Sequence, residues 1–157
     1  MNSGRELAGV RVLEDVLANF AFLFGEARAA GDLPDLTGPA SLACLPFRST
    51  SADCIALAVP EGLALEIAAN TLGAEPGDPE VALRARDAVM EVASVMGGHL
   101  AVALEASGPP VTLFPPQIFP LGREDWERLR MDPKTRCFAV GEHPLLLRLG
   151  PASEVKA

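Results

Sequence analysis

Apolar residues recur near every third or fourth position in the first part of the chain, with Val12, Val16, Phe20 and Leu23 on one side. That period predicts an amphipathic helix over Leu7–Ala30, with Gly31 as its stop. "DLPDLTGPAS" interrupts the pattern with turn-forming residues and reads as a loop. In "SLACLPFRSTSADCIALAVP" the pattern predicts two short strands around a polar turn at Arg48–Asp53. Cys54, Ile55, Leu57 and Val59 carry the second strand and Pro60 ends it. Strands this close in sequence predict an antiparallel hairpin. "PEGLALEIAANTLGA" predicts a short helix, its first turn pre-organised by Pro60 and its end marked by Gly73 after Leu72. A long helix follows over Pro79–Glu105, ended by "SGPP". Asp78 is its expected N-cap, worth about 1 kcal/mol, with Pro79 at the first helical position. "VTLFPPQIF", "TRCFAV" and "PLLLRL" are strand-like, the first broken at Pro115 and Pro116. "LGREDWERLRMDPKT" reads as either a turn of helix around Trp126 or a long surface loop.

The order helix, two strands, short helix, long helix, strands predicts an α/β fold. It is a two-layer sandwich, an antiparallel or mixed sheet with the long helices on one face. The length of 157 residues predicts a single domain over 1–157. An apolar fraction of 49% against 22% charged supports a real core. With seven Phe, one Trp and no Tyr, alanine and leucine must fill that core, which favours close helix packing over an aromatic-lined pocket.

Charge narrows the partners. Thirteen basic against twenty-one acidic side chains leave a formal charge of −8, a surface that repels phosphate backbones and anionic lipids. Neither a nucleic-acid nor a membrane partner is expected, whereas a partner with a basic patch or a bound metal is favoured. "MNSGRELAGV" lacks the basic-then-apolar order of a secretory signal, so a cytoplasmic location is expected. Cys44, Cys54 and Cys137 are too scattered for a disulfide framework. A cross-strand Cys44–Cys54 disulfide is one option, and reduced, buried thiols are the favoured one. With His99 and His143 they make no recognisable ligand spacing, so no metal is expected on this chain.

Within "RARDAVMEVASVMGGHLAVAL" a polar stripe runs along the long helix. At 100° per residue Glu91 lies at its centre, Arg84 and Gly98 fall within about 20° of it, and Asp87 and Ser94 flank it. Val81, Ala85, Val89, Val92, Met96 and Leu100 occupy a separate apolar arc. Arg84, Asp87 and Glu91 would serve as a solvated face with charges paired along the helix, worth a few tenths of a kcal/mol. Against that, Leu83 and Met90 on one side and Val95 on the other frame the stripe, as in an interface with a polar centre. Gly97 and Gly98 each cost a helix about 1 kcal/mol relative to alanine, so they permit close approach, by a packed strand or by a visiting backbone.

"DAVMEVASVMGGHLAVAL", preceded by "ALAVPEGLALEIAANTLGAEPGD" and followed by "GPPVTLFPPQIFPLG", resembles the CheX-like branch of the CheC/CheX/FliY chemotaxis phosphatases. That family's helix carries an acidic or hydroxyl residue, a Glu four positions on, an Asn three further and a Gly four beyond. Asp87, Glu91 and Gly98 fit, and Ser94 stands where the Asn is expected. The resemblance implies an α/β sandwich that often dimerises. It also implies a phosphorylated response-regulator receiver domain of the CheY type as partner, the aspartyl-phosphate as substrate, and a magnesium ion supplied by the receiver. Glu91 would contact the receiver's lysine, and position 94 would hold the attacking water. The first helix offers no second motif, because neither Glu14 nor Asp15 has an Asn three residues on.

Ser94 changes the expected chemistry. Hydrolysis of an acyl phosphate needs a water held in line with phosphorus. An amide accepts one hydrogen bond from that water while donating another, whereas a serine offers one oxygen on a shorter arm. A displacement of about 1 Å costs roughly a hundredfold in rate. Weak or absent phosphatase activity on a retained docking face is therefore expected, with Glu91 and Ser94 as the catalytic candidates and Asp87, Glu91, Ser94 and Gly98 as the receiver-binding ones. An active phosphatase using a variant site and a non-catalytic scaffold or dimerisation domain are the alternatives. His99, about 80° from Glu91, is expected to pack toward the core.

Overall fold

The computed structural model describes residues 2–151. Helix α1 spans Asn2–Phe20, followed by strand β1 at Gly25–Arg28 and a single 3-10 turn at Ala30–Asp32. β2 (Ala40–Arg48) and β3 (Ala52–Pro60) form the expected hairpin, from Ala40 opposite Pro60 to Arg48 opposite Ala52. α2 (Glu61–Leu72) and α3 (Pro79–Glu105) follow, then β4 (Thr112–Leu113), β5 (Gln117–Leu121), α4 (Arg123–Met131), β6 (Thr135–Val140) and β7 (His143–Pro151).

The first helix ends ten residues earlier than its period predicts. Phe22 adopts a left-handed backbone, φ 56°, and the Leu23 N–H reaches back to the Leu17 carbonyl at 2.9 Å, the ring closure that ends helices. The next residues become the edge strand β1, paired with β6 from Gly25 opposite Val140 to Arg28 opposite Cys137. The Asn70 amide of α2 donates to the Ala21 carbonyl at 2.8 Å, tying α2 to that corner.

The seven strands form one antiparallel sheet in the order β1-β6-β7-β3-β2, with β4 and β5 sharing the far edge of β2. Side-chain size sorts the two faces of the central hairpin. Leu45, Phe47, Ile55, Leu57 and Val59 pack with α1, α2 and α3 in the larger core. Cys44, Cys54, Ala56 and Ala58 turn the other way, into a second cluster under Trp126 of α4. The small residues there let α4 lie close to the sheet. Both faces of β3 are thus covered, which is why every residue from Asp53 to Pro60 is buried. The architecture is the expected α/β sandwich with the long helices on one face, and α4 is a short addition on the other. The Trp126 segment is a helix, and "VTLFPPQIF" is two short strands parted at Pro115 and Pro116.

Candidate functional site

α3 starts and stops where its sequence signals put it. The Asp78 carboxylate accepts the Glu80 N–H at 2.9 Å, and Pro79 opens the helix. Val81, Val89, Val92, Met96 and Leu100 are buried against the core. On the opposite side Asp87 and Glu91 are exposed, while Ser94 and Gly98 are half-buried. The four candidate residues share this outer face over roughly 16 Å of helix axis. Ser94 lies on the flank that turns toward Gly97, where Leu113 of the sheet edge closes on the helix.

Arg84 decides how the two carboxylates stand. Its guanidinium bonds to Glu80 one turn back, at 3.0 Å. The hydrogen bond and charge of Glu80 hold Arg84 above its ordinary pKa, and the charge of Asp87 adds to this at longer range. Both side chains are largely exposed, so water and salt screen the pair. Neither Asp87 nor Glu91 makes a hydrogen bond or ion pair among the described residues. The central carboxylate of the stripe is thus not committed to a pair along the helix among the described residues.

The two glycines do different jobs. A Cβ on Gly97 would come 2.1 Å from the Leu45 side chain of β2, so this glycine is what lets α3 lie on the sheet. A Cβ on Gly98 would meet nothing within 4 Å. No internal contact of the described residues requires Gly98, and the bare backbone there faces outward.

His99 is exposed, which corrects the expectation that it packs. The wheel treats cover as uniform along a helix, but α3 has 27 residues and its neighbour α2 only 12. Toward its C-terminus α3 is covered on one side only: Leu100 is buried and Leu104 still packs against the core, while Val102, Ala103 and Glu105 are exposed like His99. The sequence reading also missed Val102, 71% exposed. Eleven residues after Glu91 it returns to within about 20° of the same line, so extending the wheel one turn would have found it. Leu83, 75% exposed, flanks the stripe at the other end. By length and composition α3 would also cross a bilayer, but in this fold its apolar arc is used against α1, α2 and the sheet. No three His, Cys, Asp or Glu side chains gather as a metal site among the described residues.

No family model and no curated protein matches the sequence. Solved structures do match the fold. A chemotaxis protein CheX from Desulfovibrio desulfuricans superposes with a TM-score of 0.70 at 14% identity, over 94% of this chain and 98% of that one. The fold is that of the CheC/CheX/FliY proteins. A chemotaxis protein CheX from Vibrio vulnificus matches at 0.66 and 20% identity, over 90% of this chain and 95% of that CheX. CheX in a CheX–CheY–BeF3–Mg2+ complex from Borrelia burgdorferi matches at 0.64 and 15% identity, over 91% and 96%. The CheX-type fold thus spans most of this chain at low identity.

Proposed function

We propose that the outer face of α3 binds a phosphorylated receiver domain of the CheY type, with little or no hydrolysis of its aspartyl-phosphate. The observation that carries this reading is the exposed, uncommitted Glu91 carboxylate beside the bare backbone at Gly98. A carboxylate held on a rigid helix suits a single lysine ammonium, and such a charge-assisted hydrogen bond is worth about 1.5–3 kcal/mol. Asp87, one turn earlier, adds negative charge, and Gly98 lets the visiting loop approach. Leu83 and Val102 supply apolar contact at either end of the polar centre. The CheX–CheY complex among the matching folds supports a receiver as the partner.

Ser94 sets the expected activity. Its hydroxyl occupies the position where hydrolysis calls for a group that both accepts from and donates to the attacking water, and it spans a shorter distance than an amide. The magnesium ion is expected on the receiver, in keeping with the Mg2+ of the matching CheX–CheY complex.

The test is calorimetric binding of beryllofluoride-activated receiver domains from the same genome, together with loss of phosphate from the phosphorylated forms. At least one receiver is expected to bind, with its dephosphorylation accelerated less than about tenfold by wild type and clearly more by Ser94→Asn. Strong acceleration by wild type would make Ser94 a working variant of the site. Absence of binding across the set would overturn the receiver reading in favour of a scaffold or dimerisation domain.

A further inference from the structure

Arg86 of α3 is exposed and makes no hydrogen bond or ion pair among the described residues. Its own helix offers it nothing. The positions three and four residues away are Ala82, Leu83, Val89 and Met90, so no carboxylate stands at the spacing where helical side chains meet. Arg84, two residues earlier, has such a partner in Glu80.

Arg86 borders a recess of about 200 Å³ between α3 and the sheet edge. The register sets Ser41 of β2 across from Pro120 of β5, and Ala43 across from Ile118. Ala43 belongs to the core under α3, so Ser41, Ile118 and Pro120 share the sheet face that α3 covers. They form the floor of the recess. The half-buried Ser41 hydroxyl also makes no hydrogen bond among the described residues. Acidic side chains outnumber basic ones twenty-one to thirteen in this chain, yet none of the described ones lines the recess. Two uncommitted donors, one of them charged, thus border one small space. A carboxylate suits them, because its oxygens accept from a guanidinium and a hydroxyl at once. Ile118 and Pro120 offer apolar surface to the stem that carries it. The recess is continuous with the acidic stripe through exposed Leu83. Leu83 precedes Arg86 by three residues and Asp87 by four, so it neighbours both on the helix surface.

We propose that Arg86 and Ser41 are specificity-determining contacts of the α3 docking face, taking a glutamate or aspartate side chain of the receiver while Glu91 takes its lysine.

This inference rests on the receiver reading and adds the sign and place of a second contact. Arg86 and Glu91 are five residues apart and point to different sides of the helix, which sets their charges on the order of 10–15 Å apart. A lone lysine contact leaves the receiver free to turn about it. One anion and one cation fix a direction, because a reversed receiver would set its acid against Glu91 and its lysine against Arg86.

The test is titration calorimetry of the full chain with a beryllofluoride-activated receiver that wild type binds. Arg86→Ala is expected to weaken binding about 5–20-fold and Ser41→Ala about 2–5-fold, the range of hydrogen bonds to a charged group at a partly exposed site. Arg86→Glu should weaken it further. Replacing the acidic surface residues of the receiver by lysine, one at a time, should find one that restores binding to Arg86→Glu and weakens it to wild type. Urea unfolding of Arg86→Ala should match wild type, since no internal partner is lost. Arg128→Ala removes the same charge from α4, across the sheet, and should bind within about twofold of wild type. Binding of Arg86→Ala and Arg86→Glu within about twofold of wild type would overturn the inference and leave the Glu91 contact standing. An equal loss in Arg128→Ala would overturn it as well, by assigning the effect to net charge. If wild type binds no receiver, the receiver reading falls and this inference falls with it.

Discussion

Glu91 and Asp87 sit one helical turn apart on the same exposed face, yet the proposed reading gives them unequal weight. Glu91 lies at the centre of the stripe, so its contact is the one most fully desolvated by a partner, while Asp87 contributes mainly through the field. Glu91→Gln is expected to weaken receiver binding about 10–100-fold, the size of a charge-assisted hydrogen bond. Asp87→Asn should weaken it about 2–5-fold, as a screened, rim-like charge does. Titration calorimetry at low salt and at 0.5 M salt checks both, because the Asp87 effect should shrink with screening and the Glu91 effect largely persist. The outward aim of Glu91 was legible in the sequence because a regular helix fixes direction by residue count alone. The exposure of His99 was not legible, because it depends on where the neighbouring helices stop, and residue count carries no information about that.

At the scale of the element, α3 carries two adjacent glycines whose surroundings differ. Gly97→Ala drives a methyl into Leu45 and is expected to destabilise the fold by about 1–3 kcal/mol, as overpacking does. Gly98→Ala meets nothing and should stabilise α3 by up to about 1 kcal/mol through helix propensity, while weakening receiver binding. Urea unfolding of both variants measures the opposite signs. A Gly98→Ala protein that loses stability would mean that this position serves internal packing. α3 itself was readable from end to end because Asp78, Pro79 and the terminal "SGPP" are explicit signals. The end of α1 was not. "FAFLF" keeps apolar residues at every helical spacing, and the chain turns there through Phe22 in a left-handed conformation rather than through a glycine. β1 was hidden by the same run.

Across the whole molecule the hairpin and the two-layer arrangement followed from pattern, but the strand order did not. Nothing local to β1 or β6 announces that they pair from opposite ends of the chain. The small second core does explain what holds α4 in place. Asp132, the C-cap of α4, bonds to Arg148 of β7 at 3.0 Å. Burial opposes its charge, but the Lys134 amide and Arg148 outweigh that and hold the Asp132 carboxyl below its usual value. A depressed carboxylate adds stability above its unfolded pKa of about 4 and loses it as pH falls through the folded value. Asp132→Asn should therefore be less stable than wild type at pH 7 by about 1–3 kcal/mol. That gap should narrow as pH falls below about 4, as urea unfolding at the two pH values would record. The central claim, that Glu91 meets a receiver lysine directly, is tested best by a double-mutant cycle pairing Glu91→Gln with removal of that lysine on the bound receiver. Direct contact requires that the two losses overlap, with a coupling of about 1–3 kcal/mol. Losses that add in full would contradict it.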